Sequence, residues 1–103
     1  MPPSNITQIV WWEFLDGEEL TMTELPLEPN LPQLRPGMIV SIDAVGGNLR
    51  YAINGVASAA AHGFVPENGA RIIGPLSNWA SLSLYGTAGV LACIAYYREN
   101  VRG

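Results

Sequence analysis

Residues 79–97 read WASLSLYGTAGVLACIAYY. In the first part Ala80, Leu82 and Leu84 alternate with Trp79, Ser81, Ser83 and Tyr85. That period of two gives a strand one apolar and one mixed face. Gly86-Thr87-Ala88-Gly89 then turns the chain. Residues 90–97 are apolar at odd and even positions alike. Such a strand lies at the centre of a sheet or is covered by a partner on its second side.

Upstream, short strand-like runs recur between turns. Residues 38–44, 49–53 and 70–74 are rich in Ile, Val, Leu and Tyr, the types that suit a pleated surface. Gly46-Gly47-Asn48, Asn54-Gly55 and Pro66-Glu67-Asn68-Gly69 separate them. Residues 56–63 are small, and the run is shorter than the ~12 residues an isolated helix needs. It reads as an irregular loop or a strand where backbones approach closely. Residues 6–15 form another apolar run, followed by Asp16-Gly17, a favoured hairpin turn, and the partly alternating residues 18–25. These signals predict an N-terminal β-hairpin. Pro26, Pro29, Pro32 and Pro36 come next, with Leu27, Leu31 and Leu34 among them. Proline fixes φ and donates no hydrogen bond, so this stretch reads as a strap laid over a surface of its own domain or of a neighbour.

The expected fold is therefore all-β: a small antiparallel β-sandwich or barrel, jelly-roll-like, with an N-terminal hairpin and a Pro-rich strap. The chain has 103 residues, the size of one domain. Within it, residues 1–36 are expected as hairpin and arm, and residues 37–103 as the core. On that division, removing residues 1–36 should leave a folded β domain.

Composition narrows the function. Hydrophobic residues make up 49% and charged residues 14%, against a usual charged share of roughly 25%. So much apolar surface in so short a chain points to a subunit interface. The net charge is −4 and all five basic residues are arginines. Residues 1–34 carry only acidic charges, and the arginines follow from Arg35 onward. An acidic front and a basic rear suit head-to-tail contact between subunits as well as they suit a solvated acidic hairpin. No basic stripe exists for nucleic acid. The start, Met-Pro-Pro-Ser, has neither a basic nor an apolar leader region. No run approaches the ~20 apolar residues of a membrane-spanning helix. Cys93 is the single cysteine, so no disulfide forms within the chain, and inside an apolar run it reads as a small core hydrophobe.

No catalytic or metal-binding constellation emerges. His62 is the only histidine, and no nucleophile motif or ligand set surrounds it. Gly46-Gly47 lacks the lysine of a phosphate loop. An enzyme is not expected, nor any cofactor. The informative side chains are Trp11, Trp12 and Trp79. Adjacent residues of a strand face opposite ways, so Trp11 and Trp12 cannot both enter one core. The outward one is an interface anchor or, on the rival reading, a sugar platform. Trp11, Trp12, Leu27, Leu31, Leu34 and Tyr97 are the expected interface residues.

From about Gly37 to Glu99, the order of elements includes Arg50-Tyr51-Ala52-Ile53-Asn54-Gly55, His62-Gly63-Phe64-Val65 and a last strand ending Tyr96-Tyr97. That pattern resembles small β-structured virion proteins of tailed bacteriophages; residues 1–36 do not match it. The resemblance implies a capsid decoration (cement) protein that forms a homo-oligomer, often a trimer, and stabilises the head. It implies the major capsid protein or another virion protein as partner, and a place in the virion, assembled in the bacterial host cytoplasm. A head–tail connector or tail structural role, or a small carbohydrate- or peptide-binding module, is the alternative.

Overall fold

The apolar stretch 90–97 becomes the centre of a sheet. The computed structural model describes residues 9–30 and 33–102, and these form strands only: β1 (Ile9–Thr21), β2 (Met38–Val45), β3 (Leu49–Ile53), β4 (Gly63–Val65), β5 (Ala70–Ile73), β6 (Leu82–Gly86) and β7 (Leu91–Arg102). β7 pairs with β1 on one side and β2 on the other, in a sheet of order β1-β7-β2-β5. The second sheet has order β4-β3-β6. Both are antiparallel. The all-β sandwich expected from the alternating runs is the observed architecture.

The described parts of the proline segment, residues 22–30 and 33–37, run along the free edge of β6. Leu27 and Leu84 exchange backbone hydrogen bonds of 2.9 and 2.8 Å, and Leu34 and Ala80 exchange a pair of 3.0 Å. The Met22 N–H donates to Val90 O, and the Gly37 N–H donates to Leu76 O. Pro26, Pro29 and Pro36 fall between these bonded positions, where no donor is required. Counted as the second of eight strands, the segment gives sheet orders 1-8-3-6 and 2-7-4-5. This is the jelly-roll pairing.

The core lies between the sheets. Val40, Ile42, Ala44, Leu49, Leu82, Leu84, Ala92 and Ile94 fill it, together with Met22 and Leu34. Because Met22 and Leu34 are only 1% exposed, the packing has no break between residues 36 and 37. The proposed arm is part of the domain.

The expected N-terminal hairpin does not form. Asp16-Gly17 does not reverse the chain; β1 runs straight through it and pairs with β7 from Ile9↔Arg102 to Thr21↔Leu91. Phe14 faces Tyr97 and Asp16 faces Tyr96, so Leu15 is an extra residue and forms a β-bulge. The Gly17 N–H is held by Asp16 Oδ1 at 2.8 Å. Residues suited to tight turns also suit bulges, and a long-range partner strand decided between them. β1 and β7 continue past the end of β2, whose last partner on β7 is Arg98. Residues 9–12 and 99–102 thus form a two-stranded ribbon.

Candidate assembly surface

The bulge sets which side chains share a face. Up to Phe14, the even positions of β1 sit on the outer side of the first sheet; beyond Leu15, the odd positions do. Leu20 therefore packs against the core, while Trp12, Phe14, Gly17 and Glu19 line up outside. Trp12 is 38% and Phe14 59% exposed. The Phe14 ring meets Tyr97 edge-on, with centroids 5.7 Å apart and planes at 70°, a favoured aromatic arrangement. A Cβ at Gly17 would meet the Phe14 ring at an ordinary 3.5 Å but the Ile94 carbonyl oxygen at a tight 3.1 Å. Leu15, at the bulge itself, is also exposed.

The expected interface residues separate. Trp12 and Tyr97 belong to this aromatic group. Trp11 lies in β1 opposite Asn100, and its side chain, like Leu31 as a whole, falls outside the described residues. Leu27 is half-buried and packs against the core. Leu34 is fully buried there, so its side chain has no surface to offer a partner. Phe14 was missed: its phase relative to Trp12 is plain in sequence, but a turn at Asp16-Gly17 would have placed it beside a hairpin end.

The middle of the outer face is polar and acidic. Glu19, Cys93 and Asp43 stand in one register row. Cys93 Sγ is 3.7 Å from Glu19 Oε2. Burial, then the neighbouring Glu19 and Asp43 charges, push the thiol pKa up, which keeps it protonated and poorly nucleophilic. Apolar residues return on the far side, where Val45 and Ile72 are exposed.

Three of the arginines are engaged inside the chain. Arg98 Nε donates to Glu13 Oε2 at 2.9 Å, and its Nη2 lies 2.9 Å from the same oxygen. The acidic front and basic rear thus meet within one subunit at this point. Arg50 stacks over the Phe64 ring at 4.4 Å and donates to Ala61 O at 3.4 Å. Arg71 donates through Nε and Nη2 to Phe64 O, at 3.2 and 3.1 Å.

Two concavities accompany this surface. One, of about 380 Å³, opens at the bulge between Leu15, Asp16, Arg35, Met38, Tyr96 and Arg98. Tyr96 is buried there, and burial followed by the Glu18 charge raises its pKa to about 12. The other, of about 490 Å³, is an open cleft beside Tyr51, Val56 and His62. His62 is exposed. Among the described residues, no group of His, Cys, Asp and Glu side chains is placed to hold a metal ion.

Fold and surface together define a small jelly-roll sandwich with an aromatic cluster at one end of an outer sheet face. No protein-family model, curated protein or solved structure matches this chain.

Proposed function

We propose that this chain is a structural protein that works by assembly, using the outer face of the β1–β7 pair as its contact surface. The observation that carries the reading is the aromatic cluster. Trp12, Phe14 and Tyr97 share one face, with Leu15 beside them, and Phe14 is 59% exposed. Aromatic side chains on a rigid strand lose little entropy on association and are favoured interface anchors. The apolar share of 49% supports it as well, because this sandwich leaves eight large hydrophobic side chains exposed among its described residues.

The finer reading is a virion component of a tailed bacteriophage, a decoration protein seated on the capsid. Its support is the sequence resemblance over residues 37–99, together with the jelly-roll topology, which viral capsid domains also use. The topology enters by analogy, since one fold hosts many functions.

Light scattering coupled to size exclusion tests the assembly reading. A closed homo-oligomer at micromolar concentration is expected, reduced to monomer by Phe14→Glu with the β-sheet circular dichroism retained. A monomer at all concentrations that also fails to co-sediment with phage heads would remove both readings.

A further inference from the structure

We infer that the segment Ile9–Phe14 is a strand-pairing edge for a second copy of this chain, the two β1 strands joining antiparallel across a twofold axis. The inference rests on the assembly reading and names its contact.

β1 is the outermost strand of its sheet. Among the described residues, no backbone hydrogen bond occupies its far edge from Ile9 to Leu20. Such an edge is a row of open donors and acceptors, and natural proteins blunt it with charges, prolines or bulges. β1 is blunted over only half its length. From Leu15 onward it carries the bulge and then Asp16, Glu18 and Glu19. Before the bulge it reads Ile-Val-Trp-Trp-Glu-Phe, with no proline, no glycine and one charge. A six-residue window of high β-propensity and low charge is the composition of a pairing segment.

The one charge is already neutralised. Glu13 is paired with Arg98 on the neighbouring strand, so a second strand would not meet a free carboxylate. Register separates the two halves of β1 further. Residues directly opposite in an antiparallel pair share a face, so a twofold axis passes beside a single residue. With the axis at Trp11 or Trp12, Glu13 faces Ile9 or Trp11 of the second copy, and no like charges oppose each other. An axis at Gly17 sets Asp16 against Glu18, and an axis at Glu18 sets that residue against itself. Like charges directly opposite are unfavourable. Self-pairing is therefore compatible with the first half of β1 and opposed by the second.

The ribbon gives a physical reason for a partner. Residues 9–12 and 99–102 extend beyond β2 as two strands. Two strands alone are marginal in water, and three or more are needed for stability. Pairing two ribbons through β1 makes four strands of order β7-β1-β1-β7. Trp12 and Phe14, 38% and 59% exposed in one subunit, add apolar burial to the backbone pairing, and aromatic side chains are favoured anchors of such contacts.

The test measures mass by sedimentation equilibrium for the full chain and three variants: Val10→Lys, Trp12→Lys and Ile72→Lys. Lysine on an edge strand blocks pairing, while Ile72 lies at the opposite border of the same outer face. The expected result is a dimer of twice 11.1 kDa. Val10→Lys and Trp12→Lys should both halve that mass with unchanged circular dichroism, and Ile72→Lys should leave it. A wild-type oligomer that survives both edge lysines overturns the pairing edge and leaves the assembly reading standing. So does an oligomer broken only by Ile72→Lys. A wild-type monomer overturns the pairing edge, and co-sedimentation with phage heads then decides whether the assembly reading falls with it. Because two independent edge variants are read against circular dichroism, misfolding of one does not decide the outcome.

Discussion

Leu34 shows what burial does to a residue that looks free in sequence. Set among prolines, it reads as an anchor for a partner. In the fold it is 1% exposed, bridged to Ala80 and packed in the core. Truncating it leaves a cavity as well as losing transfer energy, so Leu34→Ala should destabilise the domain by about 2–4 kcal/mol. Chemical denaturation checks this, and a loss under about 1 kcal/mol would mean the segment is only loosely seated. Tyr96 couples stability to pH. Its pKa rises from an ordinary 10.0 to about 12 in the fold. The folded state therefore keeps the phenol proton after the unfolded chain has lost it. Stability is fully present below pH 10 and declines as pH rises through the interval up to about 12. Urea midpoints should fall across that window, and Tyr96→Phe should flatten the fall. An equal slope in the variant would assign the loss to another group. The alternation of Ala80, Leu82 and Leu84 was legible because period two is a local property. The state of Leu34 was not, because burial depends on what lies across the sandwich.

Among the elements, β1 and the proline segment carry the most revision. A local rule assigns Asp16-Gly17 to a hairpin; the same residues follow a bulge at Leu15 and stay in the strand once β7 supplies twelve paired positions. The proline segment has too few donors to be recognised as a strand, yet it bridges Leu84 of β6 through Leu27 and Ala80, just before β6, through Leu34. Both elements lie before residue 37, and they supply Met22 and Leu34 to the core and an outer strand to the sheet. Deleting residues 1–36 should therefore abolish cooperative unfolding rather than leave a folded core. Differential scanning calorimetry reads this directly, and a sharp transition in the truncated chain would restore the arm as a separate appendage. The loop before β4 gives a milder test. Arg50 holds it through the Ala61 carbonyl while stacking on Phe64. Arg50→Ala should cost about 1 kcal/mol and speed limited proteolysis between residues 54 and 62. Unchanged cleavage would show that the loop is held by Ala57, whose N–H donates to the buried Ser83 hydroxyl at 2.9 Å.

For the whole molecule, the surplus of apolar residues finds only part of its place inside. The two sheets bury one face of each strand, and the described residues still expose Trp12, Phe14, Leu15, Val45, Ile72 and Trp79. This is the basis for expecting assembly. It also predicts behaviour in solution: salt should weaken association only slightly, because the contact is apolar and its lone carboxylate is paired within the chain. A steep loss of oligomer between low and high ionic strength would point instead to the acidic row around Glu19 and Asp43.

Local sequence was enough for the all-β class and for the strands at 38–44, 49–53, 70–74 and 79–85, and it narrowed residues 90–97 to a central strand or one covered by a partner. Each of these follows from side-chain periodicity and turn chemistry, which act between near neighbours. Three features needed the folded chain: Leu15 bulges while Asp16-Gly17 pairs on with β7, the proline segment borders the second sheet, and Phe14 shares a face with Trp12 and Tyr97. Those outcomes depend on which strand lies alongside. A backbone with open hydrogen-bonding groups takes the partner that the closed sandwich brings to it.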